Sequence, residues 1–80
     1  MYYVYFLRST TYPEKTYVGF TNNLYQRLDR HNAGRVPSTN DFKPWELVAY
    51  VALESEGKAK ELEKYFKVGS GHAFAQKRLW

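Results

Sequence analysis

Two stretches of this chain place ionisable side chains where packing alone would choose apolar ones. Leu24, Arg27, Leu28 and His31 follow one another at the i, i+3, i+4, i+7 spacing of a core-facing helix stripe, yet two of the four are ionisable. Ala59, Leu62, Glu63 and Phe66 repeat the spacing, with Glu63 inside the stripe. Burying such groups unpartnered costs roughly several kcal/mol, so each requires a partner, a metal or an edge position open to a ligand. One reading is a structural ion pair between Arg27 and Glu63, their stems covering the core edge. The other is a functional cluster. The second is favoured, because both helices carry the same irregularity beside a segment rich in tyrosine.

The chemistry that suits such a cluster is phosphodiester hydrolysis. A carboxylate holds a divalent cation, a guanidinium matches a phosphate with a two-pronged fork, and a tyrosine or histidine handles the proton. Tyrosine is a poor base at its usual pKa of about 10, so it needs a neighbouring cation or metal-bound water to act near neutrality.

These residues need elements to hold them. Tyr2 to Leu7 and Thr16 to Phe20 are rich in aromatic and β-branched residues, and the turn-forming Ser9-Thr10-Thr11-Tyr12-Pro13-Glu14-Lys15 separates them, so the two form a β-hairpin. Alternation puts Tyr3, Tyr5 and Leu7 on one face of the first strand, and Tyr17 and Gly19 share a face of the second. A cooperating register makes Tyr5 and Tyr17 neighbours. A helix over about residues 22–33 follows, capped by Thr21 or Asn22 and stopped at Gly34. Beyond a polar stretch from Arg35 to Lys43, Glu46 to Leu53 reads as a third strand. Ser55 caps a second helix that runs to Val68 and stops at Gly69, and Ser70 caps a short third one through Lys77. The expected order is β-β-α-β-α-α, a small α+β domain over residues 1–80 with helices packed on a three-stranded antiparallel sheet.

Tyr3-Val4-Tyr5 followed by Tyr17-Val18-Gly19 resembles the paired tripeptides for which the GIY-YIG nuclease superfamily is named. Arg27 with His31 looks like that family's catalytic-helix signature, and Glu63 looks like its metal-binding glutamate. The resemblance covers nearly the whole chain and is closest to small stand-alone bacterial members related to the excision-repair nuclease domain. It implies a DNA-repair type of endonuclease using one divalent cation, Mg²⁺ or Mn²⁺, on Glu63. Arg27 then stabilises charge on the phosphate, and Tyr5, Tyr17 and His31 are the candidates for handling the proton. The chain departs from the pattern in three ways. Tyr3 stands where the first tripeptide often has Gly, Val replaces Ile at both centres, and only Ser70 and His72 lie near the place of an active-site Asn found in several family nucleases. The last departure supplies the rival reading, a non-catalytic nucleic-acid-binding module of the same fold.

Charge and composition agree with a nucleic-acid partner, DNA being expected. Twelve Lys and Arg against eight Asp and Glu give +4, a balance that favours polyanions. Arg30 and Arg35 around the first helix, and Lys60, Lys64 and Lys67 on the second, are candidates to track a phosphate backbone. Trp45 and Trp80 are either base-stacking platforms or core residues. With no cysteine, neither a disulfide nor a thiolate metal site supports the fold. Eighty residues bury only about 60–65% of the surface of the unfolded chain, so one core is the limit, and the 19% aromatic content must fill it. The first residues lack a basic region and a long apolar run, which gives the expectation of a soluble cytoplasmic protein with no membrane partner.

Overall fold

The computed structural model describes residues 1–80 and follows the expected order: β1 (Tyr2–Ser9), β2 (Thr16–Thr21), α1 (Leu24–Asn32), β3 (Trp45–Leu53), α2 (Glu56–Lys67) and α3 (Gly69–Arg78). A single 3₁₀ turn, Asn40–Phe42, interrupts the polar stretch before β3. The three strands form an antiparallel sheet with β1 in the middle, in the order β2-β1-β3. No helix is long and apolar enough to cross a membrane.

Alternation along β1 divides the molecule into two packing layers. Val4 and Phe6 point to one face, where Ala59 and Phe66 of α2 and Ala75 of α3 close over them. Phe6 stands edge-on to both Phe66, at 5.1 Å between ring centroids, and Trp80, at 5.3 Å. The Arg8 guanidinium donates from Nη2 to the Trp80 carbonyl at 2.8 Å, which ties the chain end to β1. Trp80 is therefore a core plug. α3 lies so close to α2 that a Cβ at Gly71 would overlap the Tyr65 carbonyl.

Tyr5 and Leu7 point the other way and pack with Trp45 under Leu24 and Leu28 of α1. Trp45 is buried, and its Nε1 donates to the Thr39 carbonyl at 2.9 Å, so it too is structural. The chain reaches this side through a β-bulge. Phe6 stands opposite Ala49 but Leu7 stands opposite Leu47, which leaves Val48 as the extra residue. Leu47 thereby joins the Tyr5 side while Val48 and Ala49 stay with Phe6.

Several boundaries differ from those the sequence predicts, each for a local reason. The cap of α1 is Asn23, whose Oδ1 accepts from the Gln26 N–H at 3.1 Å, one or two residues later than expected. Thr21 instead holds the cap residue: its Oγ1 accepts from the Asn23 N–H at 3.1 Å and donates to the Asn23 carbonyl at 3.2 Å. α3 starts at Gly69 with no side-chain cap, so Ser70 lies inside it. Ser55 caps α2 as expected, accepting from the Lys58 N–H at 3.2 Å.

Candidate active site

The stripe residues of both helices point inward as their spacing requires. His31 is fully buried, and Leu24, Arg27 and Leu28 are partly so. On α2, Ala59 and Phe66 are buried and Leu62 and Glu63 partly buried, while their neighbours on the outer face are exposed. The two ionisable groups from the stripes do not pair with each other. Glu63 Oε2 accepts from Lys67 Nζ at 2.9 Å, and Arg27 has no carboxylate partner. The structural ion-pair reading is thus corrected: Glu63 pairs with a lysine one turn along the same helix, and Arg27 has no carboxylate partner.

Tyr5 and Tyr17 are neighbours, with ring centroids 6.2 Å apart, because Tyr5 pairs with Gly19 across the hairpin and Tyr17 sits one step diagonal to it. Gly19 makes this approach possible. A Cβ there would overlap the Tyr5 ring and hydroxyl and lie 2.9 Å from Tyr17 Cε2. Strand alternation puts Gly19 on this face, but alternation alone does not reveal this close approach.

His31 completes the group, its ring 5.7 Å from that of Tyr5 and 5.0 Å from that of Tyr17. Its tautomer follows from its partners. Thr39, also buried, places Oγ1 2.7 Å from His31 Nδ1 and 3.3 Å from the Val36 carbonyl. A hydroxyl has one proton, and a carbonyl can only accept, so Thr39 donates to Val36 and accepts from Nδ1–H. Nε2 is then the acceptor for the Tyr5 hydroxyl, 2.9 Å away. The charge state agrees: burial first, and then the Arg27 charge, lower the His31 pKa to about 4, so the imidazole is neutral near pH 7.

The Tyr5 phenol is shifted the other way, up to about 12. Burial is the main cause, Tyr17 adds to it, Arg27 opposes it, and Glu63 contributes a smaller rise. These influences place Tyr17, Arg27 and Glu63 within electrostatic reach of one hydroxyl. Burial thus favours the protonated phenol, and the geometry directs its O–H at an imidazole nitrogen.

Glu63 is the carboxylate within reach of the Tyr5 hydroxyl, and nowhere do three His, Asp or Glu side chains gather. Its side chain is 23% exposed and already holds the Lys67 ammonium. One carboxylate completed by water and phosphate oxygens is the usual Mg²⁺ arrangement, so the donor set fits a hard divalent ion. Lys67 Nζ also lies 5.8 Å from the Tyr17 ring centroid, so this part of α2 reaches round edge strand β2 toward the tyrosines.

The remaining basic candidates lie outside the cluster. Arg30, Arg35 and Lys64 are exposed without carboxylate partners. Lys60 is paired with Glu56 at 3.6 Å and lies over the Phe20 ring.

A family described as "GIY-YIG catalytic domain" matches this chain over residues 1–75. The chain belongs to that family. Its second tripeptide, Tyr17-Val18-Gly19, supplies both a ring of the site and the glycine that makes room for it. Among relatives, the structure-specific endonuclease subunit SLX1 of Podospora anserina is 44% identical over 57 residues, 65% of this chain and 16% of that protein. The SLX1 homologue of Giardia intestinalis is 39% identical over 46 residues, 54% of this chain and 13% of the other. The "UPF0213 protein in ldhD 5'region" of Pediococcus acidilactici is 39% identical over 57 residues, covering 64% of this chain and 55% of its own length. This GIY-YIG chain thus aligns with only a fraction of each.

Proposed function

We infer that this chain is a divalent-metal-dependent endonuclease that hydrolyses phosphodiester bonds in nucleic acid, with DNA as its expected substrate. The observation that carries the reading is the Tyr5 hydroxyl aimed at neutral His31, with Arg27 and, from round the β2 edge, Glu63 within electrostatic reach of it. Two relatives named as structure-specific endonuclease subunits support it.

In this reading Tyr5 orients a water through its oxygen lone pairs while its own proton points to Nε2. As the water attacks, its proton passes to the Tyr5 oxygen and the Tyr5 proton passes to His31. Thr39 keeps Nε2 free for that transfer. Arg27 clamps the phosphate with its fork and stabilises the charge that builds up in the transition state. Its charge is also the second cause of the low His31 pKa. A phosphate bound at Arg27 offsets that charge and makes His31 more basic as the substrate arrives. Tyr17 packs against both Tyr5 and His31 and fixes their mutual placement. Glu63 would hold the divalent cation, which when bound would supply Lewis-acid stabilisation of the phosphate.

The test is a cleavage panel of single-stranded, duplex and branched DNA, together with RNA, in Mg²⁺ or Mn²⁺. Cutting that a chelator abolishes is expected, and Glu63→Gln should be inactive while still folding and binding. If every substrate survives at high protein concentration with both metals, the chain is a binding module.

A further inference from the structure

Beside the Tyr5 site lies an open cleft of about 230 Å³ lined by Tyr3, Asn22, Asn23, Tyr25, Leu47 and Tyr50 among others. Nothing in the proposed hydrolysis uses it. Its aromatic residues are more exposed than packing requires: Tyr25 is 81% exposed and Tyr50 53%. Tyr3 and Tyr50 meet edge to face at 5.8 Å at its floor. No charged side chain lines the cleft, so it is not suited to a phosphate; its chemistry fits a flat, neutral ring with polar edges.

The cleft is continuous with the proposed site. Tyr50 is the cross-strand partner of Tyr5, and Tyr3 lies two residues from Tyr5 on the same face of β1, about 7 Å along the strand. Leu24 and Leu47 each have one side on the cluster around Tyr5 and another on the cleft. The polar groups at its rim suit a ring edge. Asn23 uses Oδ1 to cap α1 and keeps its two amide N–H donors, and the Asn22 amide has no partner.

We propose that this cleft binds one unpaired nucleobase of the nucleic acid being cut, stacked on the Tyr25 and Tyr50 rings with its edge at Asn22 and Asn23. The proposal rests on the nuclease reading and narrows its substrate class. A base stacked inside a duplex cannot enter, so the preferred substrate has a nucleotide that is single-stranded, or displaced from its pair, next to the scissile phosphate.

The experiment is binding of short single-stranded oligonucleotides carrying one 2-aminopurine, without metal so that nothing is cut, beside an intact duplex. Quenching of the probe at one position is expected. Base–aromatic stacking contributes enough that Tyr25→Ala or Tyr50→Ala should weaken single-strand binding roughly tenfold and remove the quenching, with duplex affinity unchanged. Tyr25→Phe and Tyr50→Phe keep the ring and should bind as the parent does, and thermal melts should show all four variants folded.

Single-strand affinity that survives both alanine substitutions, or that is the same when the quenched base is replaced by an abasic site, overturns the proposal. The same preparation assayed for cleavage tests the nuclease reading separately. Tyrosine-dependent quenching without cleavage keeps the cleft and removes the nuclease, whereas cleavage with no tyrosine dependence does the reverse.

Discussion

The two faces of the sheet are built on one strand and follow opposite rules. Towards α2 and α3, β1 presents Val4 and Phe6 to a dry aromatic core; towards α1 it presents Tyr5, whose hydroxyl enters a chain running through His31 and Thr39 to the Val36 carbonyl. The first face derives its stability from apolar area and close packing. The second buries polar atoms, and it does so without leaving one unpartnered. That completeness makes the second face rigid, because each hydroxyl and ring nitrogen has one arrangement that satisfies its neighbours. A domain of this size thus has one dry layer and another that holds a hydrogen-bonded polar chain in place.

Substitutions of opposite kinds should separate these two layers. Arg27→Lys keeps the charge and most of the stem but loses the planar fork, so turnover should fall by about 100- to 1000-fold, the loss typical of removing one transition-state donor, with a near-parental melt. Phe66→Ala should behave in reverse. Removing a buried aromatic costs about 3–5 kcal/mol, most of the stability expected for so small a core, and residual folded protein should still cut. Cleavage rates read beside denaturant titrations check both. Full-rate cleavage by Arg27→Lys would remove Arg27 from the proposed mechanism.

The polar face should also be the pH-sensitive one. An unfolded imidazole titrates near 6.5, whereas His31 in the fold titrates near 4. Between these values the unfolded chain binds a proton that the folded chain refuses. Stability fully present above pH 6.5 is therefore lost as pH falls toward 4, by about 1.4 kcal/mol per pH unit and about 3 kcal/mol in all. Equilibrium unfolding at pH 7, 5.5 and 4 should show this slope, and His31→Gln should be less acid-sensitive than the parent by that amount. An equal slope in both would show that His31 is not held neutral. Thr39→Val leaves Nδ1–H without its acceptor and should shift the pH profile of cleavage, and Thr39→Ser should restore it.

The sequence discloses what depends on local periodicity and conceals what depends on distant register. Arg27, His31 and Glu63 stand out because a 3.6-residue period makes an ionisable residue in an apolar stripe visible. The pairing of Tyr5 with Tyr17 is equally legible, since hairpin alternation sets it. Thr39 is not legible. It lies in a polar stretch without periodicity, and only the fold brings it to His31. Tyr50 was hidden for another reason: its place opposite Tyr5 depends on a bulge at Val48, and a shift of one residue would turn it to the other face. The cap at Asn23 escaped because Thr21, Asn22 and Asn23 are all good capping types, and the choice was made by Thr21 bonding to Asn23 rather than to the helix.

The smallest expected effect distinguishes two lysines three residues apart on α2. Lys67 is bound to the partly buried Glu63 and reaches the tyrosine face, whereas Lys64 is exposed and unpaired. Lys64→Ala should therefore act on binding alone. Losing one phosphate contact lowers the slope of log K against log salt by about 0.9 on duplex DNA, or about 0.7 on a single strand, with kcat unchanged. Lys67→Ala should instead alter the metal requirement. With its ammonium gone, Glu63 has no competing cation, and half-maximal cleavage should need less Mg²⁺. Titrations of salt and of Mg²⁺ on both variants give four curves, and the crossed pattern is the expected one. If Lys64→Ala leaves the salt slope intact, that surface of α2 is solvated rather than bound to phosphate, and the path of the nucleic acid must then run over Arg30 and Arg35 instead.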